Sequence, residues 1–302
     1  MHDVAIIGGG VSGFAAAMYA CRLGLKTAVF YEIPGGNITW ATKVENYPGF
    51  ESIGGEELAK KIREHAEKYG PDVFDRKITA VEKKQNHFSL FDGKKNHESK
   101  TIIFATGTTP RKLNVRGENE FLGKGVHYCA LCDSPFYKGK IVAVVGGADT
   151  AAREAELLSG IASKVYVVYR GEKLRAESEN VKKIEKKKNV EIILGNNVSS
   201  VGGDKFVTKI ILEKDYKGSR ELIVDGVFIA AGHVPASELA KSIRVDLNAN
   251  GEIITDREAK TNVEGVFAAG DVCNTRFKQA ITGVAEGVTA AYSAYEFLKK
   301  NS

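Results

Sequence analysis

The sequence predicts an α/β fold of two Rossmann-like nucleotide-binding domains, the second inserted in the first, and three observations carry that prediction. A length of 302 residues suits about two domains of ordinary size. Two stretches, Asp3–Glu32 and Lys140–Arg170, read alike: an apolar strand, a glycine turn, a helix with small residues on one face, and a second β-branched strand ending at a charged residue. Two crossings, the polar run Arg111–Glu120 and the turn at Gly232–Pro235, suggest a chain that leaves the first domain and returns to it. The expected division is 1–113 and 234–302 for the first domain and 114–233 for the second.

Taken in order, the first βαβ unit has strands at Val4–Ile7 and Thr27–Phe30 around its helix. A loop at Pro34–Gly36, a helix over Glu56–Tyr69 and a strand-rich segment to Phe91 follow, and the strand in TIIFATGTTP ends in a glycine turn. After the second unit, strands are expected at Val190–Leu194, Phe206–Leu212 and Leu222–Ala231, and a long helix at Gln279–Leu298. Composition agrees with a folded globular chain, with 43% hydrophobic and 27% charged residues. A net charge of +5 is too mild to call for nucleic acid or a membrane surface as partner, and the run Lys182–Lys188 reads as a solvated helix face. No apolar stretch reaches the ~18 residues of a membrane span, and four cysteines do not make a secreted disulfide scaffold, so the expected setting is cytoplasmic. Glycine is in excess, with 32 residues, which signals close backbone approaches.

The glycines concentrate where phosphate would be bound. In Gly8-x-Gly10-x-x-Gly13 the first glycine allows a tight turn, the second lets backbone approach a pyrophosphate, and the third allows close packing of helix on strand. The phosphate then lies at a helix N-terminus, where free N–H groups and the helix dipole favour an anion. Glu32 follows Gly8 by 24 residues, the place of a carboxylate that accepts hydrogen bonds from a ribose diol. The second turn keeps Gly146 but has Ala148 where the second glycine belongs, and Arg170 holds the ribose position, with Lys173 and Arg175 nearby. Cations there favour a 2′-phosphate, hence NADP over NAD if a dinucleotide binds.

Cys129-Ala-Leu-Cys132-Asp133 is the sharpest chemical signal. Zinc would need two further ligands and no second cysteine pair exists, whereas a redox pair needs only these two sulfurs and an acid such as Asp133 to move a proton. No metal site is expected. His127 reads as a surface or packing histidine, with tuning of a cysteine thiolate as the alternative, and Cys21 and Cys273 as buried small apolar residues.

These residues resemble the low-molecular-weight thioredoxin reductases, class II flavoprotein pyridine nucleotide-disulfide oxidoreductases, over essentially the whole chain. The motifs are GGGVSG (Gly8–Gly13), GGN (Gly35–Asn37), VENYPG (Val44–Gly49), ATGTTP (Ala105–Pro110), CALCD (Cys129–Asp133), AAGHVP (Ala230–Pro235), VFAAGD (Val266–Asp271) and KQAITG (Lys278–Gly283). The resemblance implies FAD in the first domain, with Asp271 holding the ribityl chain and Asn37, Asn46, Gln279 and Ala280 lining the isoalloxazine. Gly36, Thr106, Gly107, Gly270 and Lys278 belong to the same motifs and complete the flavin set. It implies NADPH as donor at Gly146, Ala148, Arg170 and Arg175, and thioredoxin or a thioredoxin-like protein as acceptor. Cys132 would face the flavin, Cys129 would attack thioredoxin and Asp133 would serve as general acid and base. A homodimer and a swinging second domain, hinged near Leu113–Arg116 and Gly232–Pro235, are implied likewise. The chain departs from the family at Asn37, where glutamine is usual, at Ala148, and at Tyr169-Arg170-Gly171, which lacks one arginine and a histidine of the donor site. Some relatives take electrons from ferredoxin or a deazaflavin instead. A flavin dithiol oxidase and a flavin-binding redox sensor are the rival readings.

Overall fold

A computed structural model describes residues 1–41 and 44–301, apart from the side chains of Trp40 and Cys132. Contacts divide the chain into two units, Met1–Thr109 with Val234–Ser302, and Pro110–His233. The chain therefore crosses at Thr109/Pro110 rather than at 113/114. The reason lies in Glu118: its buried carboxylate accepts the N–H groups of Leu113 (2.9 Å), Asn114 (2.6 Å) and Val115 (3.4 Å) and the Tyr128 hydroxyl (2.6 Å). That clamp fastens the expected hinge at Leu113–Arg116 into the second unit.

The first unit begins with β1 (His2–Ile7), α1 (Val11–Arg22), β2 (Thr27–Tyr31), α2 (Gly55–Glu67), β3 (Asp72–Asp75), β4 (Ala80–Lys83), β5 (Phe88–Phe91), β6 (Asn96–Phe104) and β7 (Thr108–Pro110). The second unit holds β8 (Val126–His127), α3 (Ala130–Asp133), β9 (Ile141–Val145), α4 (Asp149–Ser159), β10 (Lys164–Tyr169), α5 (Ser178–Glu185), β11 (Val190–Leu194), β12 (Val198–Gly203), β13 (Val207–Tyr216), β14 (Ser219–Ile223) and β15 (Gly226–Ile229). The chain returns through β16 (His233–Pro235), α6 (Glu238–Ser242), β17 (Val266–Ala268) and α7 (Ala280–Lys300). The two connecting segments β7 and β16 pair with each other.

In the first unit β3, β2, β1, β6 and β17 are parallel, and the β4–β5 hairpin pairs antiparallel with the early part of β6. Strands buried on both faces read as continuous apolar runs, and β1 shows why. Its Val4 and Ile6 point into a cluster with Phe14, Ala16, Ala17 and Ala20 of α1 and the alanines of α7, while Ala5 and Ile7 point to the opposite cluster with Phe30 and Phe104. The small residues of α1 and α7 let both helices lie against one sheet face.

The second unit repeats the plan with the parallel order β11-β10-β9-β15-β8, flanked by the antiparallel β12-β13-β14. Val142 and Val144 face one core cluster and Ala143 and Val145 the other. The expected strand at Leu222–Ala231 is two strands, separated at Val224–Asp225, where the Asp225 carboxylate accepts the Ile141 N–H at 2.8 Å. α5 presents Lys182 and Lys183 to solvent and buries Ile184; it ends at Glu185, so Lys186–Lys188 of the expected helix face lie in the exposed turn beyond it. No helix among the described residues is long and apolar enough to cross a membrane.

Candidate functional site

The turn after β1 builds one end of a cavity of about 940 Å³ within the first unit. A Cβ on Gly8 would meet the Ala105 carbonyl oxygen at 2.0 Å, and one on Gly13 the Gly8 oxygen at 2.0 Å, so these two glycines are required by the protein's own packing. Gly10 is different: a Cβ there would find nothing closer than 3.8 Å. The space it keeps open belongs to the cavity, as expected of a cradle for a bound pyrophosphate. Gly10 is also the N-cap of α1, where no side chain caps the helix and no acid lies in its first turn. These free N–H groups suit an anion.

The other predicted residues fall around the same cavity. Gly36 and Asn37 line it from the loop after β2, Thr106 and Gly107 from the turn after β6, and Asp271, Lys278, Gln279 and Ala280 from the segment leading into α7. Glu32 lines it at the end of β2 and pairs with Lys77 at 2.8 Å. Asn37 spends its amide on Thr108, donating to Oγ1 at 2.9 Å. Three predicted residues act from behind the lining: Gly13 packs α1 on β1, Asn46 donates to Gln279 Oε1 at 2.8 Å, and Gly270 donates its N–H to Glu286 at 2.7 Å. The Lys278 ammonium reaches Glu252 (2.6 Å) and the carbonyls of Asp271 (2.7 Å) and Cys273 (2.8 Å), so it clamps the Asp271 loop. Sequence reasoning missed Lys77, Glu252 and Glu286, which no motif marks; only their charge, unpaired in the local sequence, hinted at partners.

Within the second unit, β8 delivers the chain to Cys129, which is disulfide-bonded; the Cys132 side chain lies outside the described residues. The other two cysteines are free: Cys273 is buried as expected, and Cys21 is only half-buried. Asp133 Oδ2 lies 2.8 Å from His127 Nδ1, and His127 Nε2 lies 2.7 Å from the Tyr137 hydroxyl. His127 packs and also holds two polar contacts. It is buried, stacked on Phe228 at 5.3 Å between centroids, and held between an acid and a phenol. Burial, aided by Asp133 and Asp225, pushes the Tyr137 phenol up to about 12, so it keeps its proton. The imidazole thus has a carboxyl facing Nδ1 and a phenol facing Nε2. The effect is to fix the orientation of the carboxylate that follows the cysteine pair.

The second glycine turn copies the first in backbone. Ala148 has φ −101°, ψ −176°, against −84°, −175° for Gly10, and each is the N-cap of its helix. A Cβ at Gly146 would strike the Ala230 carbonyl oxygen at 2.2 Å, as one at Gly8 would strike Ala105. Two changes mark the phosphate approach: the Ala148 methyl, and Asp149 in the first turn of α4, where α1 has no acid; the Asp149 carboxylate is engaged by the Glu177 N–H and the Asn180 amide, both at 2.8 Å. Arg175 lies with its guanidinium 5.8 Å from the Tyr169 ring centre, and its backbone N–H donates to the Gly147 carbonyl at 2.6 Å, which brings the residue's backbone to the turn. Arg170 is exposed just after β10. No group of metal-ligating side chains occurs among the described residues.

The chain matches the pyridine nucleotide-disulphide oxidoreductase family over residues 2–287. A thioredoxin reductase of Treponema pallidum is 36% identical, with 98% of this chain and 97% of that protein covered. A crystal structure of Lactococcus lactis thioredoxin reductase is similar with a TM-score of 0.91 at 34% identity, covering 99% of this chain and 100% of that one. A ferredoxin-flavin thioredoxin reductase from Clostridium acetobutylicum is also similar, with a TM-score of 0.54 at 34% identity over 99% and 98% of the two chains.

Proposed function

We propose that this chain, which belongs to the pyridine nucleotide-disulphide oxidoreductase family and within it to the thioredoxin reductases, passes electrons from NADPH through FAD and the Cys129–Cys132 pair to the disulfide of a thioredoxin or thioredoxin-like protein. The observation that supports it most is a disulfide-bonded Cys129 in a Cys-x-x-Cys whose following acid is held by a buried histidine. The open cradle at Gly10 fits a dinucleotide: Gly8, Gly10 and the α1 N-terminus would receive its pyrophosphate, Glu32 its ribose and Asp271 its ribityl chain. Gln279, positioned by Asn46, would lie with Asn37 and Ala280 along the flavin ring. FAD, when bound, supplies a two-electron carrier between nicotinamide and disulfide.

The chain's own residues do the thiol chemistry. Cys129 thiolate attacks one sulfur of the thioredoxin disulfide, forming a mixed disulfide and expelling a thiolate. Cys132 thiolate then attacks the Cys129 sulfur, closes the Cys129–Cys132 bond and expels the second thioredoxin thiolate. The two protons of the enzyme dithiol end on thioredoxin, and Asp133 relays them. Asp133→Asn is expected to slow thiol release from thioredoxin by about 10²–10⁴-fold with the flavin still bound. An unchanged rate in a stopped thiol assay removes Asp133 from the proton path.

NADPH would approach the turn at Gly146 and Ala148, with Arg170 and Arg175 taking its 2′-phosphate. Because Ala148 already has the backbone of Gly10, Ala148→Gly removes only the methyl and is expected to lower the Michaelis constant for NADPH by about threefold or more. No change places the dinucleotide elsewhere. That same methyl favours a second reading, in which a ferredoxin or deazaflavin supplies the electrons. Flavin left oxidised by millimolar NADPH and NADH but bleached by reduced ferredoxin selects it, with the dithiol assignment intact. A homodimer in the cytoplasm completes the proposal, and sedimentation of the flavin-loaded protein tests the dimer.

A further inference from the structure

A second carboxyl lies against the cysteine turn, and nothing in the chemistry above uses it. Glu154, on α4, points its Oε1 at the N–H of Ala130, 3.5 Å away, and Ala130 is fully buried between Cys129 and Cys132. Its Oε2 is buried with no hydrogen-bond partner among the described residues. Burial pushes this carboxyl up to about 7, against the pull of the Ala130 N–H. A buried orphan oxygen is costly and calls for an explanation.

We propose that Glu154 is a positioning residue of the dithiol: its carboxyl, reaching the turn that joins the two cysteines through the Ala130 N–H, sets how readily Cys129 gives up its proton. A charged carboxylate beside that turn disfavours a neighbouring thiolate, and a neutral one does not. The charged groups on the elements packed against α4 are paired or exposed. On α3, Asp133 is tied to His127; on β10, Lys164 is paired with Glu191; β9 carries no charge; and the charged residues of α5, Glu179, Lys182, Lys183 and Glu185, are exposed. On α4 itself Asp149 is bonded to the Glu177 N–H and to Asn180, Arg153 is exposed and Glu156 is partly exposed.

The inference rests on the dithiol reading above, and its test reads the thiol directly. The full-length flavin-loaded protein is reduced with dithiothreitol, freed of reductant under argon, and alkylated with iodoacetamide across pH 5.5–9, with the label at Cys129 followed by peptide mapping. Wild type and Glu154→Gln are expected to coincide below about pH 6, where the carboxyl is neutral, and on the rising limb above about pH 7 the variant reacts about threefold faster or more. Superimposed profiles, or a variant slower by one constant factor at every pH, overturn the proposal; the second result is what a purely structural role gives. The fold control has a defined sign. A raised carboxyl pKa means stability present in acid and lost as pH rises through about 7, so Glu154→Gln melts at or above the wild-type temperature at pH 8. If thioredoxin is not reduced by the wild type, the functional reading fails whatever the alkylation shows.

Discussion

Replacing Cys129 by serine abolishes thioredoxin reduction while NADPH still bleaches the bound flavin. This is the largest effect the account predicts, because the only disulfide-bonded cysteine among the described residues is removed and serine forms no mixed disulfide. Turnover should fall to the background of the assay, and stopped-flow absorbance of the flavin should show a reductive phase close to that of the wild type. The separation follows from where the groups lie. The cavity that fits FAD is lined wholly by the first unit, and Cys129 belongs to the second, so losing the sulfur does not touch the flavin lining. Residual thioredoxin turnover above a few per cent of wild type would mean that another thiol carries the electrons. Cys273 is a poor candidate, since burial pushes its thiol far above the usual range.

Gly10→Val and Gly13→Ala should fail for opposite reasons. At Gly10 an added Cβ finds nothing closer than 3.8 Å and faces the cavity, and Ala148 shows that the same backbone angles accept a Cβ. The flavin-free variant should fold to within about 1 kcal/mol of flavin-free wild type, the loss being that of a poorer N-cap. Its affinity for FAD should drop by about 10²-fold or more, as the valine occupies the pyrophosphate approach. At Gly13 a Cβ would lie 2.0 Å from the Gly8 oxygen, so α1 must move off β1, and the cost is about 3 kcal/mol in the flavin-free protein. Flavin titration and thermal melting of both apo-proteins measure the two effects. If Gly10→Val retained wild-type affinity, the assignment of this turn to pyrophosphate would be wrong.

Much of this was legible in the sequence because the signals were local. The turn Gly8–Gly13, the strand that precedes it and the acid at Glu32 lie within one βαβ unit, and the chemistry that demands them acts over a few ångströms of backbone. Cys129, Cys132 and Asp133 are likewise one short run. What the sequence hid is contact across long separations. Glu118 sits only a few residues beyond Leu113, yet that its buried carboxylate clamps the expected hinge depends on Tyr128 and on a turn that no pattern announces. Glu252 and Lys278 meet across 26 residues of chain that include β17, and Glu154 reaches Ala130 only because α4 packs on α3. His127 packs as expected, but its partners were hidden for the same reason: Tyr137 and Phe228 reach it, and Phe228 arrives from a strand far along the chain.

The most direct test of the central claim is to mix the flavin-loaded protein anaerobically with a small excess of NADPH and count thiols as the flavin responds. The account predicts that flavin absorbance falls and that two new thiols, mapped to Cys129 and Cys132, appear per subunit. Bleached flavin with the cysteine pair still oxidised would contradict it.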